Sequence, residues 1–251
     1  MLGAKKMDNS RSCHILGVRI DDVTFEETIA TIQNYIQTGG FHQIVTVNPE
    51  FVMAAQTNEE FRDTINHSDL SLPDGIGIWW ASRRMGTPVR QRVPGVDLVW
   101  RLAQLAHESG CRIFLLGAMP GVAERAAGKM TRAFPCAQFV GTFSGSPHSD
   151  QAEDILARVH AARPHILLVA FGAPTQDLWI ARYAGQLAVP VCVGVGGSFD
   201  YIAGEQPMAP PFLRKVGLEW MFRLLTQPWR WRRMLALPRF AWQVLWSKRC
   251  D

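Results

Sequence analysis

The chain has 251 residues, 47% hydrophobic and 19% charged, a composition that is ordinary for a globular protein and excludes an intrinsically disordered chain. Its net charge of +4 conceals an asymmetry, because residues 212–251 carry nine Lys or Arg against two acids, together with five of the nine tryptophans. No stretch reaches the roughly 20 apolar residues of a membrane-spanning helix, and residues 1–11 lack the apolar segment of a signal peptide, so we expect a disordered leader there.

Strand and helix patterns alternate from this leader to about residue 204. Thr24 and Glu27 form a capping box at the start of the first helix. The predicted strands cover residues 14–20, 43–47, 69–72, 112–116, 138–140, 166–171 and 191–195. The predicted helices cover residues 24–38, 49–67 with a break near 58, 76–85, 96–109, 122–134, 150–162 and 176–187. Near-continuous apolar strands separated by helices predict an α/β, Rossmann-like domain over residues 12–204, a mostly parallel sheet with helices on both faces.

Three prolines, at 207, 210 and 211, predict a hinge after this domain. We therefore expect residues 205–251 to form a hinge and a C-terminal helical appendage that is rich in basic and aromatic residues. Its helices are predicted at 217–226 and from a break at Pro238 to about residue 248. In the last helix the apolar residues Phe240, Trp242, Leu245 and Trp246 accompany a polar stripe of Arg239, Gln243 and Ser247.

Arginines interleaved with tryptophans are typical of two kinds of surface, one for nucleic acid and one for an anionic bilayer. The amphipathic last helix suits a membrane surface better than a nucleic-acid groove. We therefore expect residues 212–251 to contact an anionic membrane, and we expect no nucleic acid to bind. The alternative is a helix that packs on the protein's own core and leaves a solvated basic face.

Polar residues and glycine turns stand where the predicted strands end, the edge at which parallel sheets bind ligands. They are Thr46, Asn48, Asp74, Arg90, Arg92, Gly117, Gly172, Gly196, Gly197 and Asp200. Asp74, between Pro73 and Gly75 at the entrance of a helix, is suited to act as a general base toward an attacking sugar hydroxyl. The alternative is that its carboxylate only caps this helix.

Two further residues suggest phosphate recognition. Gly117 opens a glycine turn after an apolar strand, which could bring backbone N–H groups to a phosphate, although an ordinary turn is equally consistent with the sequence. Arg92 could neutralise a diphosphate leaving group without a metal, or it could be a solvated arginine.

Motifs of other protein classes are absent from the sequence. There is no Asp-x-Asp, HExxH, GxSxG or GxxxxGK[ST], and the five scattered cysteines include no CxxC pair. The sequence therefore predicts neither a metal nor a cofactor, and it fits a reducing compartment. Two other classes stay open, a non-catalytic nucleotide or nucleic-acid binding module and a dinucleotide-dependent oxidoreductase, although the weak glycine turn disfavours the latter.

Seven segments together resemble the WecG/TagA/CpsF family of glycosyltransferases, and they occur in that family's order over about residues 15–233. They are Thr46-Val-Asn48, Pro73-Asp74-Gly75, Arg92 to Asp97, Phe114 to Gly117, Phe171 to Ile180, Val193 to Asp200 and Gly217 to Leu224. The resemblance implies a metal-independent, inverting transfer from a UDP-sugar donor, often UDP-N-acetylmannosamine or its uronic acid. It also implies an acceptor sugar linked to undecaprenyl diphosphate.

The resemblance also implies roles for particular residues. Asp74 matches the catalytic base, and the matching pocket residues are Thr46, Asn48, Arg92 and Gln176. Basic residues thought to reach the lipid diphosphate are matched by Arg223, Arg230 and Arg233. Such enzymes are peripheral proteins of the cytoplasmic face of the plasma membrane, with homo-oligomers alongside active monomers.

The chain departs from the family pattern at two places. Met208 precedes Ala209-Pro210 in the hinge, where the family usually has an arginine. Thr175 and Asp177 stand on either side of Gln176, where Lys and Glu are more usual. These departures place the identity of the substrates in question more than the type of reaction.

Overall fold

The structure, a computed structural model, describes residues 11–228 and 231–247. The predicted leader therefore lies outside the described residues, apart from Arg11. In the part of the chain that is described, no helix is both long and apolar enough to cross a membrane.

The described chain contains eight strands and thirteen α-helices. The strands are β1 (Ser12–Ile15), β2 (Val18–Asp21), β3 (His42–Val47), β4 (Leu70–Pro73), β5 (Arg112–Gly117), β6 (Gln138–Phe143), β7 (Ile166–Ala170) and β8 (Val191–Gly194). The helices are α1 (Phe25–Thr38), α2 (Pro49–Ala55), α3 (Glu59–His67), α4 (Ile76–Arg84), α5 (Gly95–Ser109), α6 (Val122–Ala133), α7 (Ala152–Ala162), α8 (Thr175–Leu187), α9 (Ser198–Ala203), α10 (Pro211–Lys215), α11 (Glu219–Thr226), α12 (Trp231–Met234) and α13 (Ala236–Trp246).

Six strands form one parallel sheet in the order β4-β3-β8-β7-β5-β6. Successive residues of a strand point to opposite faces, so on β3 Ile44 packs into the core with α1 and α5, whereas Val45 packs into the core with α2 and α3. Both faces are covered by helices, as the apolar strands require. The predicted α/β, Rossmann-like architecture is confirmed.

The sequence-based elements differ from the structure near the N-terminus. The predicted strand over 14–20 is the antiparallel hairpin β1–β2, because Leu16 (φ 51°) and Gly17 (φ 81°) form a turn within it. The predicted helix over 49–67 is two helices, α2 and α3, since Asn58 accepts a hydrogen bond from the Phe61 N–H and caps the second one.

The C-terminal segment packs against the parallel-sheet domain. The predicted break at Pro238 is wrong, because α13 begins at Ala236 and Pro238 lies in its first turn, where its missing N–H has no helical acceptor. Phe240 and Val244 of α13 are buried against α2 and α4. Two short helices, α9 and α10, flank the predicted hinge, and the sequence analysis did not predict either one.

Gly217 sits where the turn between α10 and α11 meets the start of α4. Its backbone is left-handed (φ 79°), and a Cβ atom added there would lie 2.7 Å from Cγ1 of Ile76. Glycine is therefore needed both for the backbone conformation and for the close contact. The contact links the C-terminal segment to the helix that follows Asp74.

We predict that Gly217→Ala destabilises the protein by about 2 kcal/mol, because a side chain in the left-handed region is strained and Ile76 must also move. Urea unfolding and the rate of proteolysis within residues 205–247 measure the effect. The matched control is Gly128→Ala on α6, where an added Cβ meets nothing within 4 Å, so this change should stabilise by about 0.5–1 kcal/mol. Equal stability of the two variants would contradict the proposed contact.

Candidate active site

A cavity of about 1090 Å³ opens where the carboxyl ends of β3, β4 and β8 meet the C-terminal segment. Strand ends line one side, and residues between 216 and 241 line the other. This volume slightly exceeds the usual range for sites of small molecules and cofactors, so it has room for a large ligand or for two. The cavity occupies the edge of the sheet where the sequence analysis placed the site.

Asp74 lies at the end of β4 and lines this cavity. Its own N–H donates to the Val47 carbonyl (2.8 Å), and its Oδ2 accepts from the Gly95 N–H at the start of α5 (3.3 Å). The N-cap alternative for α4 is wrong, because Gly75 occupies that position without a side-chain bond. Asp74 is thus held by backbone contacts with its carboxylate at the cavity.

The electrostatic environment of Asp74 combines opposing influences. Burial raises the pKa of the carboxyl to about 6, the charge of Arg223 and the Gly95 N–H lower it, and the charges of Glu219 and Asp97 raise it. A carboxyl with a pKa close to neutrality is mostly ionised at pH 7, yet it is a stronger base than an ordinary aspartate. A carboxyl of this kind is suited to the general-base role that the sequence predicts for Asp74.

Thr46 and Asn48 lie at the end of β3. Thr46 is buried and its hydroxyl donates to the Gly194 carbonyl of β8 (3.3 Å). Gly95 lies so close that an added Cβ would be 3.5 Å from Thr46 Oγ1 and 3.6 Å from Ser198 Oγ. Asn48 accepts from the Phe51 N–H (3.1 Å) and caps α2. Thr46 thus links β3 to β8, Asn48 fixes the start of α2, and both residues line the cavity.

Gln176 and Asp177 lie in the first turn of α8, next to the loop that follows β8. Gln176 is buried, lines the cavity, and its Oε1 accepts from the Gly196 N–H (2.9 Å). Asp177 is completely buried, and neither carboxylate oxygen has a hydrogen-bond partner among the described residues. Burial raises the pKa of Asp177 to about 7. The departure from the family pattern at 177 thus places a completely buried carboxyl next to Gln176. The Gln176 side chain and the Asp177 N–H lower the pKa of this carboxyl by less than burial raises it.

Three arginines line the cavity in the described chain. Arg223 forms an ion pair with Glu219 and lies over the Tyr201 ring (4.9 Å from the guanidinium carbon to the centroid). Arg233 pairs with Glu50 at 2.7 Å. Arg92 has no carboxylate partner within 11–228 and 231–247, and its guanidinium donates only to the Arg214 carbonyl (3.4 Å). Arg92 is therefore the lining cation whose charge is least compensated.

Other predicted residues stand apart from the cavity. Gly117 and Asp200 do not line it, and Arg230 lies outside the described residues. A Cβ added at Gly117 (φ 96°) would lie 2.9 Å from the Ala170 carbonyl, so this glycine permits the close approach of β5 and β7. The structure therefore gives Gly117 a packing role. Gly197 does line the cavity, at the start of α9.

Sequence reasoning missed several lining residues, above all Tyr201, Glu219 and Glu50. Tyr201 follows Gly197 by about one helical turn, and Glu219 is one of only two acids in residues 212–251. These two features could have indicated Tyr201 and Glu219 as site residues. The ion pairs of Glu219 and Glu50, however, depend on tertiary packing. No group of three His, Cys, Asp or Glu that could hold a metal ion occurs within the residues described.

Comparisons with known proteins show the family to which the chain belongs. Residues 13–251 match the glycosyl transferase WecG/TagA/CpsF family. Among similar proteins, the N-acetylglucosaminyldiphosphoundecaprenol N-acetyl-beta-D-mannosaminyltransferase of Bacillus spizizenii is 37% identical over 83% of this chain and 80% of its own length. The proteins of the same name from Bacillus subtilis (34%, over 80% and 78%) and Staphylococcus aureus strain MRSA252 (30%, over 98% and 96%) are also similar.

The parent protein is expected to lose stability as the pH rises from 4 to 7, and we predict that Asp177→Asn removes this loss. The carboxyl has a pKa of about 7 when folded and an ordinary value of 3.8, so the unfolded state binds fewer protons between these values. The free energy of unfolding of the parent protein should therefore fall between pH 4 and 7. The difference between variant and parent should grow over this window by at most about 4 kcal/mol.

Urea unfolding at pH 5 and pH 8 measures this difference. Asp63→Asn on α3 provides the control, because Asp63 is exposed and its removal should leave the pH dependence unchanged. An Asp177→Asn effect of the same size at both pH values would show that Asp177 does not titrate as its burial requires.

Proposed function

The chain belongs to the WecG/TagA/CpsF family of glycosyl transferases, and we propose that it transfers a hexose from a UDP-linked donor to a sugar on undecaprenyl diphosphate. The proposed donor sugar is N-acetylmannosamine, its uronic acid or a related hexose. The names of the relatives support this choice, since they specify an N-acetylmannosaminyl group and an N-acetylglucosaminyldiphosphoundecaprenol acceptor. The proposed place of the reaction is cell-envelope or exopolysaccharide synthesis.

One observation carries the proposal, the position of Asp74 in a cavity lined by arginines. In the proposed reaction the Asp74 carboxylate takes the proton of the acceptor hydroxyl. The oxygen attacks the anomeric carbon and forms the new glycosidic bond from the face opposite the leaving group. The bond from this carbon to the diphosphate breaks, UDP leaves with the electron pair, and the configuration is inverted.

The arginines are suited to stabilise the two diphosphates. Negative charge develops on the departing UDP, and Arg92 can bind it because no carboxylate of the described chain competes for its guanidinium. Arg223 and Arg233 are already paired with Glu219 and Glu50, so we assign them to the diphosphate of the lipid-linked acceptor. An incoming diphosphate would compete with these carboxylates for the arginines.

We also propose that the protein acts at the inner face of the plasma membrane as a peripheral protein. The support is the exposure of large apolar side chains in the basic C-terminal segment. They are Phe212, Val216, Trp220, Met221, Leu225, Trp231, Leu235, Trp242, Leu245 and Trp246. Tryptophan at the interface and arginine at the head groups suit an anionic bilayer. Arg230, which matches a family residue, lies outside the described residues.

We predict that Asp74→Asn keeps the fold and lowers turnover at least about 100-fold, because the amide cannot accept the proton. UDP release is measured with UDP-N-acetylmannosamine and a polyprenyl-diphosphate-linked N-acetylglucosamine. For the parent protein, kcat/KM should fall tenfold per pH unit below the Asp74 pKa of about 6. Asp63→Asn serves as the control. Near-normal turnover by Asp74→Asn would exclude the base role.

We predict that Arg223→Gln moves the acid limb of the pH–kcat/KM profile to higher pH. The positive charge of Arg223 lowers the pKa of Asp74, so its removal leaves the carboxylate protonated over a wider range. Glu219→Gln is the paired control with the opposite sign, because the Glu219 charge raises the same pKa. If the acid limbs of the two variants' pH profiles coincided, the group that titrates in the profile would not be Asp74.

A further inference from the structure

The helix that follows Asp74 resembles the C-terminal segment in charge. No acidic residue occurs from 75 to 96, and none occurs from 220 to 250. On α4, Arg83 is exposed and lies over the Trp79 ring (4.0 Å from guanidinium carbon to centroid), and Arg84 lies beside it. Neither arginine has a carboxylate partner within the described ranges. The C-terminal end of α4 is thus a basic surface whose charge is not compensated.

This basic end of α4 is continuous with the exposed face of α13. An Arg84 N–H donates to the Leu245 carbonyl (3.4 Å), which places the guanidinium against the end of α13. Beside it, Trp242, Leu245 and Trp246 are 63%, 50% and 74% exposed, and the two tryptophan rings are 5.4 Å apart. Phe240 and Val244, on the opposite side of α13, are buried and fix this face outward.

We propose that Arg83 and Arg84 of α4, together with Trp242, Leu245 and Trp246 of α13, form one α4–α13 surface that docks on an anionic lipid bilayer. The catalytic domain, through α4, would then contact the membrane together with the C-terminal segment. This proposal rests on the peripheral membrane location proposed above. The two arginines meet the phosphates of the head groups, and the aromatic and aliphatic side chains enter the interface.

The composition of the α4–α13 surface favours lipid over other occupants. A second copy of the chain or another protein would ordinarily supply carboxylates to pair buried arginines. Both sequence runs that form the surface lack acids, so two copies meeting face to face would bring arginines against arginines. A fluid anionic head-group layer instead accommodates exposed cations and indole rings without matched partners.

Docking through the far end of α4 would limit the distance between the bilayer and Asp74. Asp74 is only two residues before the start of α4, so a bilayer bound to the other end of this nine-residue helix constrains the distance from the membrane to the base. At 1.5 Å per residue, that distance along the helix is about 13 Å. This length is the most that α4 can add to the distance between the membrane surface and Asp74, whatever the tilt of the helix.

The test is sedimentation of the full chain with phosphatidylcholine vesicles that contain about 30% phosphatidylglycerol. Each cation near such a surface contributes about fivefold in binding, so Arg83→Gln with Arg84→Gln should weaken binding about 30-fold. The double lysine variant at these positions keeps both charges and should bind like the parent. The charge-matched control, Lys129→Gln with Arg132→Gln, lies on α6 beside β5 and β6, across the sheet, and should also bind like the parent.

Unchanged vesicle binding by the double glutamine variant overturns the inference. A change in its oligomeric state without vesicles, with vesicle binding intact, would also overturn it and indicate an interface between copies. Trp242→Gln with Trp246→Gln tests the contribution of α13 separately from that of α4, because normal binding by this variant would refute docking through the exposed face of α13. UDP release with a water-soluble, short-chain acceptor should stay at the parent level in all these variants.

Discussion

The partial shielding of Asp74 from water is the interaction on which the proposed chemistry of the cavity depends. The strand end alone would leave this carboxyl open, and burial requires the start of α5 on one side and the C-terminal segment on the other. Desolvation makes the carboxyl more basic, whereas Arg223, carried by the same C-terminal segment, keeps it ionised near neutral pH. The C-terminal segment thus contributes both to the burial that raises the pKa of Asp74 and to the positive charge that lowers it, so its position sets this pKa.

The parallel sheet could be predicted because its signal is local. Apolar runs such as Ile166–Ala170 stand between helical patterns, and they must be covered on both faces wherever they lie in the sheet. The hairpin β1–β2 was missed because its turn contains Leu16, a residue that seldom takes a left-handed backbone. The position of Pro238 was misread because proline is compatible with the first turn of a helix as well as with its end.

The site was predictable where a motif sits on a strand end and unpredictable where it depends on packing. Thr46, Asp74 and Gln176 line the cavity because parallel strands deliver their carboxyl ends to one edge. Gly117 also stands at the end of a parallel strand. That strand, β5, lies two positions from β8 in the sheet, and Gly117 does not line the cavity. The pairing of Glu50 with Arg233 spans 183 positions, and no local pattern indicates it.

The seating of α13 on α2 and α4 also bears on how the protein is made. Phe240 and Val244 complete a core that begins with residues of the β1–β2 hairpin, yet α13 is the last described element to leave the ribosome. Until then a nascent chain exposes the apolar groove that this helix will fill, and such surfaces attract chaperones and aggregation partners. The helix that closes the groove is also the one with an amphipathic outer face. Folding and the proposed docking on lipid therefore draw on the same eleven residues, and an encounter with lipid before closure would compete with the native packing.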